Sequence, residues 1–127
     1  MMNTDTPSEP TCYGLNKLVD EPTERIETLQ SLVPSNEDTE QKQEIFKALA
    51  NEDRIRILEI LREGERCVCE LQAALEAPQS TVATHLRKLK DAGLVKSRKQ
   101  GTWRLYRTAD TAAFELLNLA EAMRDDE

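Results

Sequence analysis

A mainly helical domain closed by one small β-hairpin is the fold class predicted by this 127-residue sequence. Three observations carry the prediction. Apolar residues recur at helical spacing in one segment after another between residues 40 and 124. A single pair of strand-like segments, Leu94 to Lys99 and Thr102 to Thr108, meets at Gln100-Gly101, which is a hairpin signal. Aromatic residues are only 4% of the chain and charged residues 32%, the composition of a small domain with a large solvated surface. A core of that size is readily completed by a second copy of the chain.

The elements follow in order. Residues 1–36 hold four prolines (Pro7, Pro10, Pro22, Pro34) among polar residues and read as an acidic arm that carries Cys12. Within it, Thr23 to Val33 places Ile26, Leu29 and Val33 on one face of a short helix. Pro34-Ser35-Asn36 breaks the chain, and Asn36 or a neighbour caps the helix that follows. Residues 37–127 form the domain proper. Glu40 to Ala50 sets Ile45, Phe46 and Leu49 on one side, and Asn51 is a good N-cap for a helix reaching about Arg62, with Ile55, Leu58 and Leu61 spaced for burial. Gly64 ends it. A short helix from Cys69 to Leu75 carries Leu71 and Leu75, and Ala77-Pro78 turns into the next. In that next helix, Gln79 to Ala92, Val82, Leu86 and Leu89 face the core while Thr81, Thr84, His85 and Lys88 form an outward stripe. Gly93 is placed as its C-terminal cap. The last helix, Asp110 to Arg124, lines up Ala113, Leu116, Leu117, Ala120 and Met123.

Helix, short helix, turn, polar-faced helix and basic hairpin is the order of a winged helix-turn-helix. The net charge of −7 conceals a strong asymmetry. Residues 1–44 hold ten acids and three bases, whereas residues 85–107 hold eight Lys/Arg against Asp91 alone. A concentrated basic patch, rather than the chain's average charge, governs contact with phosphate. Gln79, Ser80, Thr81 and Thr84 are short enough to approach base edges of double-stranded DNA at the start of a recognition helix, where free N–H groups also favour phosphate. Lys88, Arg98, Lys99 and Arg104 are candidates for the backbone or a minor groove, and His85 for a polar contact or a plain surface position. One histidine, four scattered glycines and no phosphate loop argue against an enzyme. No apolar run approaches the roughly 20 residues that span a bilayer, and Met1 to Pro10 lacks the pattern of an export signal. The expected location is the cytoplasm, where thiols stay reduced and a Cys-x-Cys pair is a ligand set sooner than a disulfide.

That pair is Cys67-Val68-Cys69. Residues two apart on a regular helix lie about 200° apart around the axis, so the two sulfurs meet one ion only if Cys67 stands at or before the helix N-terminus, in extended or cap conformation. Ion binding there would set how this helix begins, and its far end leads into the recognition helix.

From Phe46-Lys-Ala-Leu-Ala through Arg54-Ile-Arg-Ile-Leu, then Ser80-Thr81-Val82-x-x-His85-Leu86-x-x-Leu89 and Ala92-Gly93-Leu94-Val95, the chain resembles the ArsR/SmtB family of metal- and metalloid-sensing repressors. The run Glu65-Arg66-Cys67-Val68-Cys69-Glu70-Leu71 is similar to that family's Glu-Leu-Cys-Val-Cys-Asp-Leu metal box. The resemblance spans about residues 40 to 125. It implies a homodimer packed through the Glu40 and Asp110 helices, binding an inverted-repeat operator and leaving it when the inducer binds.

It also implies an incomplete ligand set. The arsenic-sensing pattern has a third cysteine where this chain has Gln72, whereas cadmium/lead-sensing relatives use an N-terminal cysteine of the other subunit, a part for which Cys12 is placed. Three thiolates suit a soft three-coordinate ion: As(III) or Sb(III) first, then Pb(II) or Bi(III). Cd(II) or Zn(II) wants a fourth ligand, with Glu65 or Glu70 nearby. The family's second metal site needs histidine on the last helix, and Asp110 to Arg124 has none. Two other readings use the same fold: a repressor switched by oxidation of Cys67 and Cys69, and a winged helix that docks only protein partners.

Overall fold

The computed structural model describes residues 13–18 and 20–124, so the arm residue Cys12 lies outside the described residues. The chain divides into two compact units between Thr39 and Glu40. In the first, α1 (Tyr13–Leu18) is followed by α2 (Pro22–Ser31), whose proline opens the helix at a position where its missing N–H costs nothing. The Ser35 hydroxyl accepts from the Asp38 N–H (3.1 Å) and caps α3 (Asn36–Leu49), which therefore begins one turn earlier than apolar spacing alone suggests.

The second unit continues with α4 (Glu52–Leu61), β1 (Arg66–Cys67), α5 (Val68–Leu75), α6 (Gln79–Asp91), β2 (Val95–Gln100), β3 (Trp103–Thr108) and α7 (Ala112–Arg124). Asn51 caps α4 through Arg54 N–H at 3.0 Å. The buried stripe of α4 is Arg54, Ile57, Leu58 and Leu61, at i, i+3, i+4, i+7. The spacing expected for Ile55 is thus displaced, since Ile55 is only half-buried while Ile57 is fully enclosed. A charged residue at the head of the stripe hides its period from a hydrophobicity reading.

The helix-turn-helix is α5, the turn Glu76-Ala77-Pro78, and α6. Val82, Leu86 and Leu89 are sealed against Ile57, Leu58, Leu71, Leu94 and Val95 in one core. Gly93 (φ +82) supplies the left-handed residue that lets Leu94 N–H return to Leu89 C=O (2.9 Å) and close α6. β2 and β3 form the expected hairpin, shifted by one residue so that Gln100 faces Trp103 and Gly101-Thr102 make the turn. A third strand was not expected. β1 pairs antiparallel with β3, giving the order β1-β3-β2. α7 is anchored by Arg62, whose guanidinium lies 4.9 Å over the Phe114 ring and donates to Asn118 Oδ1 (3.1 Å). Of its expected stripe, Ala113 is buried and Leu116 and Leu117 half-buried, but Ala120 and Met123 are exposed. Among the described residues no helix is long and apolar enough to cross a membrane.

Candidate DNA interface and thiol site

At the N-terminus of α6 the cap position is Pro78, and no side chain caps the helix among the described residues. Gln79 and Ser80 are exposed there, which leaves the positive end of the helix facing solvent. Lys88 is exposed one face further along. Thr81 and Thr84 are half-buried.

His85 does not face out as its period suggests. Its side chain is 14% exposed, because Arg54 of α4 reaches across and donates from Nη1 to Nδ1 at 3.2 Å. The Nε2 side lies 3.9 Å from Asp53 Oδ2. Burial first, then the neighbouring Arg54 guanidinium, hold the imidazole below the ordinary histidine range, with Asp53 opposing. Arg54 itself is buried and bonded through all three side-chain nitrogens: besides the Nη1 contact, Nε donates to Ala48 C=O (2.6 Å) and Nη2 to Lys47 C=O (3.3 Å). The last carbonyls of α3 are thereby satisfied by a cation, as a helix C-terminus favours. Arg54 thus ties α3, α4 and the recognition helix together, a role that sequence reading missed.

The hairpin separates the wing cations. Neighbouring residues on a strand point to opposite faces, and cross-strand partners share one. Lys99 is paired with Arg104. On that face Ser97 Oγ accepts from both Arg104 Nη1 (3.2 Å) and Lys90 Nζ of α6 (3.1 Å). Lys90, which sequence reading left in the general basic patch, is therefore placed with the wing cations. Arg98 stands on the other face, where its guanidinium grips Glu65 in a two-pronged pair, Nε to Oε2 at 2.8 Å and Nη2 to Oε1 at 2.7 Å. This contact holds the Glu65 carboxyl below the usual carboxylate range and raises Arg98 further.

Cys67 occupies the N-cap of α5 with extended backbone (φ −89, ψ 168), and its N–H donates to Glu70 Oε1 at 2.9 Å. Cys69 lies in the first turn. Both are free thiols, Cys67 half-buried and Cys69 exposed. The extended Cys67 releases the pair from the opposed geometry of a continuous helix. Two thiols of this kind suit a soft ion. Glu70 is committed to the helix cap and Glu65 to Arg98, and among the described residues no group of three ligating side chains comes together.

A polar-tipped recognition helix beside a cationic hairpin defines a winged helix-turn-helix regulator of the DNA-binding class. Residues 51–97 match the family described as bacterial regulatory protein, arsR family. An HTH-type transcriptional regulator of Methanocaldococcus jannaschii is 42% identical over 85 residues, covering 66% of this chain and 96% of that protein. The arsenical resistance operon repressor of Escherichia coli is 46% identical over 65 residues, covering 50% of this chain and 56% of its own length. The homodimeric winged helix-turn-helix DNA-binding domain from Mycobacterium bovis, solved by NMR, superimposes with a TM-score of 0.67 at 33% identity, covering 75% of this chain and 91% of that one. The chain belongs to the arsR family and is an ArsR/SmtB-type transcriptional repressor. The matched family and these relatives are described as transcriptional regulators, and the Mycobacterium bovis domain as DNA-binding.

Proposed function

We propose that this repressor works as a cytoplasmic homodimer on an inverted-repeat operator and releases it when a soft ion binds the thiolates of Cys67 and Cys69. Cys12, from the arm, supplies the third sulfur. As(III) or Sb(III) is the favoured inducer, with Pb(II), Bi(III) and Cd(II) as the ions of next best fit. The observation that carries the reading is the extended N-cap conformation of Cys67 immediately before α5, the helix whose other end turns into α6. Further support comes from the relative named as an arsenical resistance operon repressor and from the homodimeric relative.

Gln79, Ser80, Thr81 and Thr84 meet base edges. Lys88, Lys90, Lys99 and Arg104 meet phosphates, and His85 holds the helix in place from behind. The thiols act on how α5 begins, and the turn Glu76-Ala77-Pro78 passes any change to α6.

The test titrates arsenite, antimonite, Pb(II), Cd(II) and Zn(II) into the protein–operator complex, with wild type beside Cys67→Ser and Cys12→Ser. Arsenite or antimonite should release wild type at the lowest concentration, while Cys67→Ser should hold its operator at least tenfold further into the titration. Normal release of Cys67→Ser would sink the assignment. Release by hydrogen peroxide with indifference to every ion would replace it by thiol oxidation. Duplex binding without salt dependence, or none, would point to a protein-docking module.

A further inference from the structure

Between the thiol box and the wing there are two kinds of link. One is the short ladder in which Arg66 pairs with Tyr106 and Cys67 with Leu105. The other is the charged fork of Glu65 on Arg98, with Arg107 Nε a further 4.0 Å from Glu65 Oε2. Leu105 is also the partner of Arg98. Cys67, Leu105 and Arg98 therefore form one row across the three strands, and Glu65 stands two residues before the cysteine at the edge of that row. β1 is only two residues long, so its ladder by itself is a weak mechanical link. The two-pronged geometry of the fork is directional, because a planar guanidinium holds a carboxylate in one orientation.

We propose that Glu65 is a positioning residue that couples the thiol box to the wing, with Arg98 as its receiver and not as a phosphate contact. The proposal rests on the ion-sensing reading. Any rearrangement of the Cys67 backbone that brings its sulfur and that of Cys69 to one ion moves the segment carrying Glu65. The fork hands that movement to β2, opposite the face where Lys99, Arg104 and Lys90 gather. This route is separate from the one through α5 and the turn, and it acts on affinity for phosphate.

The wing contains its own reporter. Trp103, the single tryptophan of the chain, lies on β3 and is exposed. The experiment uses the full chain with sodium arsenite and, in parallel, Pb(II) and Cd(II), on wild type, Glu65→Gln, Arg98→Gln and the exchange Glu65→Arg/Arg98→Glu. Ion affinity is read by calorimetry, wing response by Trp103 emission and anisotropy without DNA, and operator affinity on a duplex selected by the ion-free protein. Both single variants should bind the ion and, when ion-free, the operator within about threefold of wild type. Their ion-induced loss of operator affinity should shrink at least tenfold, with the Trp103 change lost, and the exchange should restore both. A Glu65→Gln protein that keeps the full ion-induced loss and the Trp103 change overturns the proposal. Failure of wild type to bind any of the ions overturns the sensing reading, and this one with it.

Discussion

Position 85 shows what one side chain can conceal. At i+4 from Thr81 the imidazole belongs to the outward stripe of its helix, yet Arg54, distant in sequence, draws it into a half-buried contact. The donation from Arg54 to Nδ1 requires the neutral ring, and Arg54, Asp53 and Lys88 are the charged groups that face it. The histidine's folded pKa lies below the 6.5 of a free side chain, so the folded state resists protonation. Its stabilising share is complete above the unfolded value and is lost as pH falls through that value toward the folded one, where the unfolded chain takes up the proton first. Urea midpoints measured at about pH 7.5 and about pH 5.5 should therefore fall further for wild type than for His85→Gln, which keeps a carbonyl acceptor for Arg54. Equal falls would mean that the ring titrates as if free.

For the elements, the hairpin is the instructive case. Its two strands are legible from the residue pattern and its turn to within one residue, but the grouping of its cations depends on register, which no single strand specifies. Pairing Lys99 with Arg104 puts these two with Ser97 and Lys90, whereas Arg98 is turned to Glu65. Arg104→Ala and Lys90→Ala should each lower the log–log salt slope of operator binding by about 0.9, one phosphate apiece, with little change in sequence preference. Arg98→Ala should leave the slope unaltered. Filter-binding or anisotropy titrations across a salt series decide this, and an equal loss of slope for all three would place Arg98 on the backbone after all. β1 escaped sequence reading because two residues are too few to show a period. The requirement that Cys67 be extended was nevertheless derivable from the angle between residues two apart on a helix.

Over the whole molecule, the core is compact around α6, but α7 is half-dressed. Leu119 is 63% and Met123 80% exposed, and Phe46 on α3 is 58% exposed despite its place on an apolar face. Apolar surface of this kind would be covered in the homodimer proposed above, where a two-fold axis uses the same patch on both subunits. The double variant Leu119→Glu/Met123→Glu should weaken self-association at least tenfold in sedimentation, and with it binding to an inverted repeat, while the circular dichroism of the monomer stays helical. An unaltered association constant would move the dimer surface away from α7.

What the sequence by itself determined is the local layer. Asn51 as a cap, Val82, Leu86 and Leu89 as the inner face of α6, Gly93 as its terminator and the thiol pair at a helix start all follow from spacing and backbone chemistry, which act within a few residues. What only the tertiary structure decided is which distant groups meet: Arg54 with His85, Glu65 with Arg98, Lys90 with the wing, β1 with β3. These are pairings of polar and charged side chains across 31, 33 and 7 residues for the first three. A hydrophobic period does not record them, because a charge looks the same in sequence whether it faces solvent or a partner brought near by folding.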